Sequence, residues 1–218
     1  MKLLCMSDSH ANHKKIPKEW LLPADVIIHG GDVSSQGFVQ EVESFLKWFD
    51  SLDYEHKIFI AGNHDFCFEK TNNNHDKIMS LLKTYPKITY LNDSGCEIEG
   101  VKFYGSPWQP EFYNWAFNLT RGPMIQEKWD LIPLDTDVLI THGPPYGIGD
   151  LVPYRGGEFV GCRDLLDTIS TKLKIKLNVC GHIHYSYGMV HKNGIDFINA
   201  STLNESYDVA NKPILIEI

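Results

Sequence analysis

Five short apolar runs in this sequence each end in residues that bind divalent metals. The runs lie at residues 2–6, 25–29, 57–61, 137–141 and 176–180. Apolar runs of this length predict buried strands. Open α/β sheets bind their ligands at the carboxyl ends of strands, where polar side chains can gather. The sequence therefore predicts a fold in which five strands bring polar side chains to one site.

The third of these strand ends is Gly62-Asn63-His64-Asp65, which places an amide, an imidazole and a carboxylate side by side. Gly62 is expected to permit a sharp exit from the strand, because glycine adopts backbone angles that other residues disfavour. Taken alone, the tetrapeptide is equally compatible with a helix N-cap. We predict that Asn63 binds a metal, that His64 handles a proton, and that both contact the substrate.

The metal-ligand candidates at the five strand ends are imidazoles, carboxylates and one amide. They are Asp8, His10, Asp32, Asn63, His142, His182 and His184. This mixture of nitrogen and oxygen fits Mn, Fe, Co or Zn better than Ca²⁺, which prefers oxygen ligands alone. One zinc ion takes only about three or four ligands from protein, so the set predicts two metals with one shared carboxylate. Two-metal sites suit phosphoryl displacement by a metal-activated hydroxide.

The remaining patterns predict a mixed α/β chain. Helices are expected at residues 37–51, 74–84, 123–130 and 163–172, and further strands at 88–91, 96–99, 101–104, 186–191, 195–199 and 213–217. Helices alternate with strands early in the chain and strands dominate late. This order favours two packed mixed β-sheets flanked by helices over a doubly wound sheet. With no linker or repeat evident, residues 1–218 are expected to form a single domain.

Charge and cysteine content exclude several classes of protein. The net charge of −8 argues against dedicated nucleic-acid binding, which normally requires a basic surface. The five cysteines include no C-x-x-C pair, and an odd number fits a disulfide framework poorly. No run reaches the ~18 apolar residues of a membrane span, and the first run is too short for a signal peptide. We expect a cytoplasmic protein without membrane contact, and no pattern favours a particular oligomeric state.

Together, the five strand-end motifs resemble the calcineurin-like metallophosphoesterases. The motifs are D-x-H at 8–10, G-G-D at 30–32, G-N-H-D at 62–65, T-H-G at 141–143 and G-H-x-H at 181–184. Other segments are similar to the MPPED branch (metallophosphoesterase domain-containing proteins), which itself resembles class III cyclic-nucleotide phosphodiesterases. These segments lie at residues 101–110, 115–119, 121–122, 141–145, 181–184 and 198–201.

The resemblance implies a four-layer sandwich and a role for each candidate ligand. The ligands divide into Asp8, His10 and His184 for the first metal, Asn63, His142 and His182 for the second, and Asp32 as the bridge. His64 would lie beside the metals without binding them and protonate the leaving group, with Asp65 orienting its ring. The cofactors would be two divalent ions, Mn²⁺ foremost, with Fe, Zn, Co or Mg as alternatives.

The function implied by the resemblance is a phosphodiesterase acting on small phosphodiesters or nucleotides, cyclic nucleotides in particular. Some members of the branch lack a histidine in the last motif and are weak enzymes. This chain has both His182 and His184, so activity is expected. Three alternatives remain open: a phosphomonoesterase or protein phosphatase, a nuclease, and a non-catalytic scaffold. The acidic charge disfavours the nuclease, and the full ligand set disfavours the scaffold.

Residues that select the substrate are less constrained by the sequence. The aromatic loop, residues 108–117, is able either to stack a nucleobase or to pack onto the core. Arg155, within a glycine-rich segment, and Arg121 are each able to bind a phosphate or to lie in solvent. The histidines expected at the surface are His13, His56, His75 and His191.

Overall fold

Fifteen β-strands and four α-helices are present in the computed structural model, which describes residues 1–218 except for the side chain of Arg155. The strands are β1 (Lys2–Met6), β2 (Val26–His29), β3 (His56–Phe59), β4 (Ile88–Tyr90), β5 (Ser94–Ile98), β6 (Val101–Ser106), β7 (Gln109–Pro110), β8 (Asn118–Leu119), β9 (Val138–Thr141), β10 (Leu151–Val152), β11 (Glu158–Phe159), β12 (Leu177–Cys180), β13 (Gly188–Lys192), β14 (Ile195–Asn199) and β15 (Ile214–Glu217).

The helices also lie where the sequence predicts them. They are α1 (Val39–Ser51), α2 (His75–Leu82), α3 (Pro123–Trp129) and α4 (Arg163–Thr171). Every predicted helix and strand is confirmed to within two residues at each end. The four strands that the sequence did not predict are two-residue pairs in loops, β7 with β8 and β10 with β11. Such short strands carry no periodicity that a sequence pattern can detect.

The first large sheet has the strand order β15-β1-β2-β3-β4. Strands β1 to β4 run parallel, and β15 joins the edge antiparallel to β1. The second large sheet has the order β13-β14-β12-β9-β6-β5, in which β14, β12, β9 and β6 are parallel. A bridge between Ser7 and Ser201 links the two sheets just beyond β1 and β14. The carboxyl ends of the parallel strands in both sheets therefore meet in one region.

Alternating residues of the strands form the core between the two sheets. Leu3 and Cys5 of β1 pack in one cluster with Ile28 of the first sheet and with Val138 and Val179 of the second. Leu4 and Met6 point the other way, as expected from the two-residue repeat of a strand. Each sheet is therefore apolar on both faces, which requires a layer of helices outside it.

The outer layers are helices that cover the free faces of the sheets. Phe45 and Phe49 of α1 pack with α2 against the first sheet. Trp129 of α3 and Leu165 of α4 pack against the second sheet. The result is the predicted four-layer arrangement of helix, sheet, sheet and helix. None of the helices given above is long and apolar enough to cross a membrane.

One histidine that was expected at the surface is buried. His13 is 1% exposed, and its Nε2 lies 3.2 Å from Ser44 Oγ, beside the rings of Phe45 and Trp48. The prediction was wrong because the local sequence around His13 is polar, whereas helix α1 arrives from a distant part of the chain. Burial lowers the pKa of His13 to about 4, so the imidazole is neutral at neutral pH.

Leu177→Ala is expected to destabilise the fold by about 2–5 kcal/mol, because it leaves a cavity in the core between the sheets. Leu177 is fully buried at the start of β12, at the opposite end of the strand from the metal-ligand candidates. Urea unfolding measures the change. Leu134→Ala, at a side chain that is 67% exposed, serves as the matched control and should change the free energy of unfolding little. Equal effects of the two variants would contradict the placement of this core.

Candidate metal centre

Three predicted ligands form one cluster at the junction of the two sheets. Nε2 of His184 lies 3.5 Å from Asp8 Oδ1 and 3.4 Å from Nε2 of His10. Nε2 of His10 lies 4.0 Å from the same oxygen of Asp8. Potential ligand atoms of these three residues all lie within 4.8 Å of one another, close enough to share an ion. This is the set predicted for the first metal.

Asp32 connects this cluster to a second one. Its Oδ2 lies 3.5 Å from His10 Nε2 and 3.4 Å from His142 Nε2. His142 Nε2 in turn lies 2.8 Å from Asn63 Oδ1. The ring of His182 lies 5.0 Å from that of His142, centroid to centroid, although His182 is outside the sets whose ligand atoms fall within 4.8 Å. The structure thus places Asp32 between the two groups of predicted ligands.

The backbone at the ligand positions is strained. Asp8, His10, Asp32 and His182 have φ angles of 52°, 38°, 55° and 67°, a left-handed region that non-glycine residues rarely adopt. Residues held in such conformations cluster at functional sites, where the surrounding structure compensates for a cost of about 1–3 kcal/mol each. These unusual backbone angles occur immediately after the strands end, where Asp8, His10 and Asp32 are buried.

The glycines beside the ligands have a different role from the one predicted for Gly62. Its φ is not positive; instead, a Cβ at this position would collide with the carboxylate of Asp32 and approach His142 Cε1 to 2.6 Å. A Cβ at Gly181 would likewise collide with the carboxylate of Asp8. Gly62 and Gly181 therefore make room for the carboxylates, and of the glycines beside the ligands it is Gly31, with a φ of 103°, that adopts the unusual backbone angle.

Both carboxylates are held in place by hydrogen bonds from residues after other strands. The backbone N–H of His182 and the hydroxyl of Ser201 donate to Asp8, each at 3.0 Å. The backbone N–H of His64 donates to Asp32 Oδ1 at 2.8 Å. Each carboxylate therefore accepts hydrogen bonds from protein donors and also faces the histidines of the cluster.

The ligand imidazoles are oriented by backbone carbonyls. Nδ1 of His142 donates to Gly30 O at 3.0 Å, and Nδ1 of His184 donates to Asn204 O at 2.9 Å. Since a carbonyl oxygen only accepts, these bonds place the ring proton on Nδ1 and leave Nε2 to face the carboxylates. This use of the second ring nitrogen is typical of metal-binding histidines.

Charge balance in the cluster agrees with metal binding. Burial by itself raises the pKa of Asp8 and Asp32, but the surrounding histidines outweigh it and hold both below the usual range. Burial likewise opposes charge on His142, yet Asp32 outweighs it and raises the pKa of His142 to about 9. Burial lowers the pKa of His10 to about 4 and that of His182 to about 3. Ionised carboxylates and the neutral imidazoles of His10 and His182 are forms that bind divalent metals, whereas His142 would have to release its extra proton when a cation takes that proton's place beside Asp32.

The carboxylates of Asp8 and Asp32 form no ion pair with a described lysine or arginine, which also favours metal binding. Asp8 and Asp32 are at most 2% exposed, and within the described part of the chain their only ion-pair partners are histidines. Two buried negative charges need a compensating positive charge, since an uncompensated buried charge costs several kcal/mol. The arrangement of oxygen and nitrogen donors therefore fits a pair of divalent cations.

Asp65 does not have the role predicted for it. Its carboxylate is fully buried and accepts hydrogen bonds from Gly62 N at 2.8 Å, Val33 N at 3.1 Å, and both N and Oγ of Ser34 at 2.9 and 2.5 Å. It makes no bond to the His64 ring, so the expectation that it orients that ring is wrong. Asp65 instead ties the loop after β2 to the loop after β3, which positions Asp32 relative to Asn63.

The His64 ring is oriented by other groups. Nδ1 donates to the backbone carbonyl of Ser35 at 2.7 Å. One face of the ring stacks on Trp115, with centroids 4.0 Å apart, and the ring meets His10 edge to face at 4.5 Å. A ring nitrogen of His64 lies within 4.8 Å of ligand atoms of His10 and Asp32. His64 therefore lies directly beside the metal-ligand cluster.

An open cavity of about 620 Å³ borders the cluster at His182 and His184. Many of its lining side chains are aromatic and exposed, and these are Phe112, Tyr113, Tyr154, Phe159 and Tyr207. Three glutamates, Glu111, Glu158 and Glu205, also line it. The cavity is large enough for a small organic ligand that reaches the metal-ligand cluster at one end.

The aromatic loop divides between the two roles left open by the sequence. Trp108 and Phe117 pack on each other and onto the core, and Trp108 Nε1 donates to Asp93. Phe112 and Tyr113 lie at the cavity, 53% and 76% exposed. One half of the loop is therefore structural, whereas the other half is available to a ligand.

Of the two arginines considered for phosphate binding, the structure describes the side chain of Arg121 only. The guanidinium of Arg121 donates to the carbonyls of Val160 and Gly161, both at 2.7 Å. Arg121 therefore supports the loop at the cavity wall rather than standing free for a phosphate. The side chain of Arg155 lies outside the described residues.

Several residues that support the site were not predicted as such from the sequence. Asn199 accepts from Ser201 through its Oδ1 and donates through Nδ2 to Gly181 O and Ile183 O on either side of His182. A signal was present, because Asn199 and Ser201 are polar residues that end an apolar strand, as the ligands do. Tyr207 packs edge to face on His10 and His184, and nothing in its local sequence indicates this contact.

Comparisons with known proteins identify the family of this chain. Residues 1–186 match the family described as calcineurin-like phosphoesterase, and the chain belongs to that family. Members of the family are phosphoester hydrolases with a dinuclear metal centre. Over 237 aligned residues the chain is 39% identical to human metallophosphoesterase domain-containing protein 1, covering all of this chain and 71% of that protein. This similarity supports the MPPED branch.

Two solved structures share the fold. The protein TT1561 of Thermus thermophilus has a TM-score of 0.65 at 13% identity, covering 91% of this chain and 88% of that one. The structure of a novel archaeal phosphodiesterase has a TM-score of 0.50 at 16% identity, and the alignment covers 99% of this chain and all of that one. At these identities the likeness concerns the fold alone.

Asp32→Asn is expected to lower metal content and phosphoesterase activity together. The substitution preserves the size of the side chain but removes the charge that lies between the two ligand groups. Metal analysis of the purified protein after loading with Mn²⁺ measures the loss. Asp150→Asn serves as the control, because Asp150 is also buried but accepts from Gly147 N and Gly161 N away from the ligands. Retained metal in Asp32→Asn would contradict the bridging position.

Proposed function

We propose that this protein is a metal-dependent phosphodiesterase that hydrolyses small phosphodiesters, with cyclic nucleotides as candidate substrates. The observation that supports this most directly is the convergence of two buried carboxylates with histidines at one end of an open aromatic cavity. The convergence accounts for phosphoester hydrolysis, and the cavity provides space for the organic part of the ester.

The metals would be held by the seven predicted ligands, with Asp32 between the two ions. Mn²⁺ is the leading candidate, and Fe, Zn, Co and Mg are alternatives compatible with the donor set. When bound, such ions neutralise the charge of a phosphate and lower the pKa of a water molecule so that it can act as the nucleophile.

His64 would supply the proton that the leaving group needs. In hydrolysis, a new bond forms between phosphorus and the oxygen of water, while the bond between phosphorus and the leaving oxygen breaks with its electron pair going to that oxygen. With Nδ1 bonded to Ser35 O, His64 has Nε2 free to donate a proton to the leaving oxygen. Asn63 and His64 would contact the phosphate from adjacent positions on the loop after β3.

The charges around the cavity favour a diester over a monoester. A phosphomonoester carries a second negative charge at neutral pH, which an enzyme normally meets with additional cations. Of the described side chains that line the cavity, Arg121 is the one guanidinium, and its Nη1 and Nη2 each already donate to a backbone carbonyl. Three glutamates at the cavity would repel the extra charge further. A diester bears one negative charge and needs no such cations.

The aromatic side chains at the cavity would bind the organic part of the substrate. Phe112, Tyr113, Tyr154 and Phe159 all line the cavity, and the rings of Phe112 and Tyr113 contact each other with centroids 4.4 Å apart. Stacking of a nucleobase on such a ring contributes about 1–3 kcal/mol. This supports a small nucleotide ligand without requiring the basic surface of a nucleic-acid-binding protein.

The discriminating experiment compares bis-p-nitrophenyl phosphate with p-nitrophenyl phosphate in the presence of Mn²⁺. We expect a higher kcat/KM for the diester, because it has one charge and a second aryl group to occupy the cavity. Preference for the monoester would support the alternative of a phosphomonoesterase or protein phosphatase. Lack of turnover with any divalent metal would support a non-catalytic scaffold. Screening 2′,3′- and 3′,5′-cyclic nucleotides then tests the proposed substrate class.

His64→Ala is expected to lower kcat by about 10²–10⁴-fold, the usual contribution of a positioned general acid, while both metals remain bound. The reason is that the Nδ1 of His64 is bonded to Ser35 O and the residue is not assigned to either metal. Activity and metal content are measured on the same preparation, with Asp32→Asn as the comparison that loses both. A parallel fall in metal content would contradict the separation of proton transfer from metal binding.

A further inference from the structure

We propose that Trp115 is a positioning residue for His64, and that its indole sets the plane in which His64 presents its proton to the leaving group. The proposal rests on the proposed role of His64 as the general acid. Trp115 stacks on the His64 ring with centroids 4.0 Å apart and planes inclined by 29°. This is the closest ring contact of His64, and an indole offers no ligand to a metal, so the contact serves the orientation of the imidazole.

Three contacts together define the orientation of the His64 ring. The hydrogen bond from Nδ1 to Ser35 O fixes the direction in which one ring nitrogen points. That bond alone still allows the ring to tilt through its side-chain torsions. The stacked indole of Trp115 and the edge contact with His10 at 4.5 Å remove this freedom. Nε2 is thereby held on the side of the metal-ligand cluster.

The segment that carries Trp115 is held by hydrogen bonds that do not involve the indole side chain. The backbone N–H of Ala116 donates to Asn63 O at 3.1 Å, and Gln109 Nε2 donates to Ala116 O at 2.7 Å. Phe117 N donates to Glu69 Oε1 at 2.9 Å. The indole is therefore fixed directly to the loop that holds Asn63 and His64. Replacing the side chain should leave this backbone framework in place.

The contact matters for catalysis because proton donation depends on geometry. A misplacement of about 1 Å can cost about 10²-fold in rate. Loss of proton donation slows the expulsion of a basic leaving oxygen far more than that of a weakly basic one, which departs without help. The dependence of kcat on the leaving group therefore reports the position of His64, whereas a general loss of folded protein would lower every rate equally.

The experiment uses methyl aryl phosphodiesters whose leaving groups range from p-nitrophenol to phenol. Trp115→Leu should lower kcat by about 10-fold for the phenyl ester but by less than about 2-fold for the p-nitrophenyl ester, as expected for a displaced general acid. Trp115→Phe, which retains a ring, should restore most of the loss. Trp108→Phe is the matched control, because Trp108 lies in the same loop but packs on Phe117 instead of His64.

The double variant Trp115→Leu/His64→Ala separates this proposal from the proposed function. If Trp115 acts through His64, the double variant should match His64→Ala alone, because the two effects are not additive. Additive losses, or equal losses for all leaving groups, would overturn the proposal for Trp115. If His64→Ala itself leaves the leaving-group dependence unchanged, the role of His64 as the acid fails instead.

A second measurement does not depend on activity. In zinc-loaded protein, which is diamagnetic, the carbon-bound ring protons of His64 should be shifted upfield by the stacked indole. These NMR signals are assigned by their loss in His64→Ala. They should move downfield in Trp115→Leu and remain in place in Trp108→Phe. Unchanged shifts in Trp115→Leu would show that the stack is absent in solution and would overturn the proposal.

Discussion

The structure depends above all on keeping two ionised carboxylates, Asp8 and Asp32, inside the protein. Both are buried at the junction of the two sheets and face histidines as their only described ion-pair partners. Burying such charges is costly unless a counter-charge is present. The fold resolves this by directing several strand ends at one point, so that nitrogen and oxygen donors surround a position suited to divalent cations. Stability of this region and phosphoester chemistry therefore follow from the same electrostatic requirement.

The residues around the two carboxylates have distinct structural roles. Ligand residues accept unusual backbone angles, glycines such as Gly62 leave space for carboxylates, and backbone carbonyls fix the ligand imidazoles. His64 is held differently, by Ser35 and Trp115, and lies beside the cluster with Nε2 available for the proton transfer that we propose. The cavity then contributes aromatic surface and negative charge, on which we base the proposal of a monoanionic ester with an organic group.

Much of this arrangement could be predicted from the sequence, because apolar runs and the residues that follow them are local patterns. The helices, the large sheets and the convergence of Asp8, His10, Asp32, Asn63, His142 and His184 were all anticipated. The failures concern partners that are distant in sequence. Asp65 bonds the loop after β2 rather than its neighbour His64, and His13 is covered by α1. The role of Arg121, which the sequence left open, also depends on distant partners, since its guanidinium donates to carbonyls about forty residues away.

The sequence by itself determined which side chains stand at the ends of the buried strands, and hence the metal-binding chemistry of this protein. Hydrophobic periodicity and residue type suffice for this, because strand ends are set locally and parallel strands share one edge. Only the tertiary structure decided which groups orient those side chains: Ser35 and Trp115 for His64, Asn204 for His184, and Ser201 for Asp8. Such contacts join segments that the chain brings together only when both sheets have packed, so no local pattern specifies them.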